Sequence, residues 1–281
     1  RQNGIGYYAE NHVELRLIEG KYTKIIEPRV LKKKEKQDLR TKDKAEVFTP
    51  SWVCNSQNNM VDEIWFGKKE VFNKELEEKW KTIEEKIEFP KGKTWKKYVE
   101  LVRMEMTCGE APYLVSRYDT VTGKKIKIKD RIGLLDRKLR VIGENIVLED
   151  KKNWIKWVTK AFKNIYGFEY QGDNLIIARK NLLYTFIEYY EERFGETPEN
   201  SLIRKIANII SWNIWQMDGI SMTVPYCSKE ELYYQISIFG DNAFKTDKQE
   251  RYCIITDWTK NKENKKRNII EYRELLRGKN E

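Results

Sequence analysis

Hydrophobic positions along this chain recur with two different periods, and the switches between them predict its elements. Residues 153–165, NWIKWVTKAFKNI, set Trp154, Trp157, Val158, Ala161, Phe162 and Ile165 at helical spacing, which predicts an amphipathic helix. The next stretch, IYGFEY, is a short apolar run ending on Glu169 and predicts a buried strand. DNLIIARKNLLYTFIEYYEERFG returns to the helical period, and Gly195 with Pro198 closes it. SLIRKIANII predicts a further helix and NIWQMDGI a strand ending at Asp218 and Gly219. RYCIITDW predicts a short strand ending at Asp257, followed by lysine-rich sequence and NIIEYRELL. Upstream, residues 94–119 read as a helix or strand running into a turn at Cys108, Gly109 and Glu110. DTVTGKKI reads as a hairpin-like turn with Gly123 at its tip. Residues 68–88 carry Val71, Leu76, Trp80, Ile83 and Ile87 in a charged background and predict an exposed amphipathic helix. Pro50 fits the first turn of another helix, with Thr49 as its cap and Trp52, Val53, Met60 and Ile64 along one face.

The repeating unit is helix, strand, carboxylate, turn, helix. Such alternation predicts an α/β fold with a doubly wound, mostly parallel sheet, whose ligands sit beyond the carboxyl ends of the strands. The acidic strand ends are Glu105, Glu169, Asp218 and Asp257. Residues 1–44 read as a charged arm or linker and residues 45–281 as one domain. With 24 residues after Asp257, the sheet is expected to stop at its fourth strand. Its open edge would then need a cover, such as a second protein subunit, a homodimer or local rearrangement.

Composition narrows the classes. Of 281 residues, 40% are hydrophobic and 12% aromatic, which supplies a core and excludes a wholly disordered chain. Lys and Arg number 54 against 44 Asp and Glu, a net charge of +10 that suits a polyanionic partner such as nucleic acid, with DNA and RNA not distinguished by charge. Each lysine run taken singly reads equally as a solvated face. The four cysteines, Cys54, Cys108, Cys227 and Cys253, form no CxxC pair, and His12 is the single histidine, which argues against a zinc site and histidine catalysis. The thiols read as reduced and the chain as cytoplasmic, with no apolar run of membrane-spanning length.

The strand-end residues fall into an ordered set of motifs. EVFTPSWV, residues 46–53, contains Phe48, Thr49 and Pro50; EMTCGEAPYL, residues 105–114, contains Glu105, Cys108 and Gly109. IYGFEYQGDNLIIARKNL contributes Glu169, and NIWQMDG contributes Asp218. In this order the stretches resemble the S-adenosylmethionine-dependent adenine-N6 DNA methyltransferases of restriction-modification systems, of the subunit M type. The likeness covers residues 45 to about 220. It implies that the FTP stretch touches the methionine end of the cofactor and that EMTCGEAPYL, similar to DPxCGxGxFL, binds the cofactor. It implies further that Glu169 takes the ribose hydroxyls and that Asp218 accepts from the adenine amine. Ala111 stands where that pattern has its second glycine.

The resemblance weakens at the catalytic motif, Asp/Asn-Pro-Pro-Tyr/Phe, which holds the amine of a flipped adenine. No such tetrapeptide occurs here. The nearest candidates are Asp257 at a strand end and Trp258 as a stacking ring, in ITDWT. Two functions follow as expectations. One is a methyltransferase modifying DNA adenine in restriction-modification or phage defence. The other is an inactive methyltransferase-fold module that binds nucleic acid or a partner protein.

Overall fold

In chain order the elements are α1 (Lys34–Lys44), α2 (Ser51–Phe66), β1 (Asn73–Leu76), β2 (Lys79–Thr82), α3 (Trp95–Glu100), β3 (Arg103–Met106), α4 (Leu134–Asn145) and α5 (Lys151–Lys163). There follow β4 (Ile165–Glu169), α6 (Gly172–Phe194), α7 (Asn200–Asn213), β5 (Ile214–Gln216), β6 (Ile254–Thr256), β7 (Ile269–Glu271) and a short α8 (Tyr272–Leu276). The computed structural model describes residues 26–44, 46–225, 227, 251–258 and 268–276. His12 lies outside them, as does the arm before residue 26. Among the described residues no helix is long and apolar enough to cross a membrane.

The frame is α/β, with a three-stranded parallel sheet in the order β3-β4-β5. β4 is the central strand and is buried along its whole length, which is why IYGF is an apolar run before the buried Glu169. Its residues divide between the two faces of the sheet. Ile165 and Ile214 enter the main core with residues from α3 to α7, while Tyr166, Phe168 and Met217 enter a smaller cluster with Cys253, Ile255 and Tyr272. Successive crossovers running in one direction across a sheet put their helices on the same face. These three strands thus correspond to one half of a doubly wound sheet. Among the described residues the other face is covered by β6, β7 and α8. At Gly167 the chains approach closely: a Cβ there would lie 3.1 Å from Ile214 Cδ1 and 3.2 Å from Cys108 Sγ.

Two expectations require correction. RYCIITDW does not supply a fourth parallel strand, because β6 pairs antiparallel with β7. Cys253 N–H donates to the Met222 carbonyl beyond β5, and the Thr256 carbonyl accepts from the Tyr166 hydroxyl near the start of β4. β6 therefore runs from the carboxyl end of the sheet towards its amino end. Residues 68–88 form a hairpin, β1 with β2, where a helix was expected. Glu78 at its turn has φ +51°, and Asn73, Trp80 and Thr82 are held by Asn55, the Asp130 carbonyl and the Asp130 carboxylate. These tertiary hydrogen bonds override a helical period whose stripe residue Leu76 is left exposed.

A buried polar network ties the helices to the sheet. Asp62 on α2 accepts from Arg137 at 2.7 Å, Arg103 at 3.3 Å and the Tyr98 hydroxyl at 3.0 Å. Lys138 donates to the carbonyls of Leu101 and Asn164, joining the amino ends of β3 and β4, and burial holds its ammonium well below the usual lysine range. Asp62→Ala strands the Arg137 guanidinium in the core and is expected to cost roughly 3–5 kcal/mol in urea unfolding, most of it recovered by adding Arg137→Met. A loss below about 1 kcal/mol would remove the network from this role.

Candidate functional site

A cavity of about 690 Å³ opens beyond the carboxyl ends of β3 and β4. Four segments build it: Lys42 on α1, residues 46–49 before α2, the turn after β3, and the turn after β4 with the start of α6. Phe48, Thr49, Glu105, Cys108, Gly109 and Glu169 all line it, together with Tyr113, Tyr170, Gln171 and Asn174. The structure thus brings six of the eight sequence-nominated cofactor residues to one wall system. Pro50 sits just behind, as the residue preceding α2, and Asp218 is not among the lining residues.

Glu169 organises the site. It is 6% exposed, its Oε2 accepts the Gly109 N–H at 2.7 Å, and its Oε1 accepts the Gln171 N–H at 2.9 Å. One carboxylate thereby fastens the β3 turn to the β4 turn. Burial pushes its proton affinity up, the two amides oppose that, and the nearby Asp173 and Glu46 add to the rise. Glu105 is pushed up as well. Burial dominates, the Tyr113 and Leu114 amides offset part of it, and Glu169 reinforces it. Its Oε2 is buried without a hydrogen-bond partner. Cys108 is fully buried and its thiol is pushed well above its ordinary value by burial and by the two carboxyls, so it packs and does not attack.

The turn after β3 is wound tightly. Thr107, Gly109 and Ala111 have φ of +52°, +54° and +66°. Only glycine occupies that region without strain, so Ala111 holds a strained conformation where the resembling pattern has glycine. The Cys108 N–H donates to the Phe168 carbonyl and keeps the turn against β4, while Phe48 lies 3.8 Å from where a Gly109 Cβ would be.

Helix α2 is not capped by Thr49. Asp119, from the turn at Gly123, accepts the Ser51 N–H at 2.7 Å, which leaves Thr49 at the cavity. Nor do Asp173 and Asn174 cap α6. Asn174 donates to Glu46 Oε1 at 2.8 Å, and Asp173 pairs with Lys32 and Arg40. Glu46 accepts two hydrogen bonds from Arg40, at 2.7 and 2.6 Å. Burial raises the Glu46 carboxyl, but Arg40 and Asn174 outweigh it and hold it below the usual range. Residues 29–44 are accordingly docked on the domain by side-chain pairing.

The remaining nominated residues lie elsewhere. Asp218 Oδ1 accepts the N–H groups of Ile220 and Ser221 at 2.8 and 3.3 Å, closing its own turn. Trp258 donates to Asn213 Oδ1 at 2.8 Å and stacks under Lys163, while the Asp257 N–H donates to Asn268. Asn213 precedes β5 and Lys163 ends α5, so Asp257 and Trp258 stand at the amino end of the sheet, away from the cavity. The direction of β6 is the cause. Glu46 and Tyr113 lay within quoted motifs without being singled out; Asn174, Tyr170 and Gln171 follow Glu169 closely enough to have been nominated with it. Lys42 carried no sequence signal.

The raised Glu105 and Glu169 mean that the native state holds protons more tightly than the unfolded chain. The stabilisation from this is complete below about pH 4.5, the ordinary glutamate value, and is lost as pH rises through the raised folded values. Glu105→Gln removes its share, so its melting temperature should fall less than that of wild type between pH 5 and 8. Equal slopes would refute the assignment. Ala111→Gly should stabilise by about 1 kcal/mol through relief of the positive φ, and a destabilised variant would show that the turn is not strained.

No family model, curated protein or solved structure matches this chain.

Proposed function

We propose that the chain binds S-adenosylmethionine in the cavity beyond β3 and β4 and methylates the N6 amine of adenine in DNA. The observation that carries this reading is the convergence of Phe48, Thr49, Glu105, Cys108, Gly109 and Glu169, nominated from motifs spread from residue 48 to residue 169, on one cavity of about 690 Å³. That volume suits a nucleoside-sized ligand. Each Glu169 oxygen accepts one amide N–H, which leaves a lone pair on each for a pair of ribose hydroxyls. The Gly109 backbone has no side chain to block close approach at the turn. When bound, the cofactor supplies an activated methyl group, so the protein's task is to align the amine with it. Asp218 does not line the cavity, and its Oδ1 closes its own turn, so the acceptor for the adenine amine is left unassigned.

The target base requires a different assignment from Asp257. Thr223, Val224, Pro225 and Tyr226 follow β5, and the last two repeat the closing pair of the family's catalytic motif. Thr223 and Pro225 are buried, and the Thr223 carbonyl accepts the Asp218 N–H, which puts Thr223 beyond the carboxyl end of β5. Tyr226, outside the described residues, is the proposed stacking ring. A second reading, cofactor binding without chemistry, is favoured by one observation: Asp257 and Trp258 are engaged at the far end of the sheet.

Calorimetry with S-adenosylmethionine tests the binding. Wild type should bind, and Glu169→Gln and Glu169→Ala should weaken binding by roughly 100-fold. Absence of binding by wild type would remove the cofactor reading. Transfer of labelled methyl groups to unmodified DNA then tests the chemistry. Asp257→Ala should transfer like wild type and Tyr226→Ala should not, whereas binding without transfer in wild type would establish the second reading. DNA affinity should fall steeply with salt, as expected for a chain of net charge +10.

A further inference from the structure

The charged residues lining the cavity are unequal in kind. Glu46, Glu105 and Glu169 are carboxylates, and among the described residues Lys42 is the single cation. Lys42 reaches the cavity only because α1 is latched to the domain. Arg40 donates two hydrogen bonds to Glu46 and pairs with Asp173 at 2.9 Å. Lys32 pairs with the same Asp173 at 3.3 Å, and the Arg29 N–H donates to Glu110 at 2.7 Å. Arg40 is thereby consumed by its partners. Lys42 is exposed and, among the described residues, makes no ion pair, so its ammonium is available to a ligand.

We infer that residues 29–44 form a strap that closes one wall of the cavity and presents Lys42 to a carboxylate on the bound ligand. Resting on the cofactor reading, this assigns Lys42 to the amino-acid end of S-adenosylmethionine. An α-amino acid end is a zwitterion. Carboxylate walls suit its ammonium and repel its carboxylate, and Lys42 supplies the opposite sign that the other lining side chains lack. The strap also couples two events. Anything that breaks the Arg40 latch withdraws Lys42, and a ligand that engages Lys42 tightens the latch.

Titration calorimetry on the full chain with two probes tests this. One is S-adenosylmethionine; the other is 5′-methylthioadenosine, which keeps the nucleoside and thioether and lacks the amino-acid end. Lys42→Ala should weaken S-adenosylmethionine about fivefold, the scale of a solvent-exposed ion pair, and leave methylthioadenosine unchanged. Lys42→Arg should restore most of the loss. Arg40→Ala should cause a similar selective loss, and the double variant should lose no more than either single one. Circular dichroism confirms that each variant is folded, and Lys42, being exposed, is safe in that respect. Unchanged S-adenosylmethionine affinity in Lys42→Ala, or equal loss for both probes, would overturn the strap and leave the cofactor reading standing. Failure of wild type to bind either probe would overturn both.

Discussion

The cavity depends on one buried carboxylate. Glu169 ends the central strand and accepts amide hydrogen bonds from the turn on each side of it, Gly109 after β3 and Gln171 after β4. Hydrogen bonds to an ionised acceptor are each worth about 1.5–3 kcal/mol, and these two oppose without cancelling the desolvation that raises its proton affinity. The same two bonds hold the β3 turn in its left-handed succession at Thr107, Gly109 and Ala111. Without the clamp, the turn would be left to backbone bonds such as the Cys108 N–H to the Phe168 carbonyl, and the concavity between the two strand ends would loosen. The acid at the strand end is thus first an architectural residue, and its remaining lone pairs are what it offers to a ligand.

The position of the cavity follows from topology. β3, β4 and β5 succeed one another in a single direction, so their connecting helices share one face and β3 stands at an edge of the three-stranded sheet. In an open parallel sheet a crevice forms beyond the carboxyl ends where the winding would reverse. Here that place is the outer side of β3, and the stretch from Glu46 to Thr49 fills it: Phe48 lies over Gly109 and Thr49 faces the cavity. Lys138 secures the opposite end of the same two strands through the Leu101 and Asn164 carbonyls. One end of the β3–β4 pair is closed by the buried Lys138 amine, and the other is shaped by the buried Glu169 carboxyl.

What could be read from the sequence was local. A five-residue apolar run ending on Glu169, then a turn and a helical period, defines β4, its acid and α6 with no knowledge of partners. Cys108 and Gly109 are readable for the same reason, since a tight turn at a strand end leaves its mark in residue choice. Asp218 looked equivalent, yet its side chain accepts from Ile220 and Ser221, a competition within one turn that a strand-end pattern does not reveal. Direction was invisible for β6, because a short apolar run has the same period whether its neighbour is parallel or antiparallel; Asp257 was therefore assigned to the wrong end of the sheet. The hairpin over residues 73–82 and the docking of residues 29–44 rest on contacts between residues far apart in sequence, such as Thr82 with Asp130 and Arg40 with Asp173.

The docked segment also resolves an electrostatic difficulty in the site. Glu46, Glu105, Glu169 and Asp173 gather near one another, and a carboxylate cluster of this kind cannot remain fully ionised without counter-charge. The protein divides the burden by position. Near α6, Arg40 and Lys32 neutralise Glu46 and Asp173 and keep them ionised. At the strand ends, where among the described residues neither carboxyl is paired with a cation, Glu105 and Glu169 have their proton affinity raised instead. The two solutions are coupled, since Glu46 and Asp173 themselves contribute to the rise at Glu169. Removing the strap would leave Glu46 and Asp173 without their cations and increase the negative field at Glu169, further favouring its protonated form. A neutral Glu169 is a poorer acceptor for the Gly109 and Gln171 amides that shape the cavity. The basic segment therefore acts on the site through charge as well as contact, and the state of the central carboxylate is set partly by residues more than a hundred positions away in the chain.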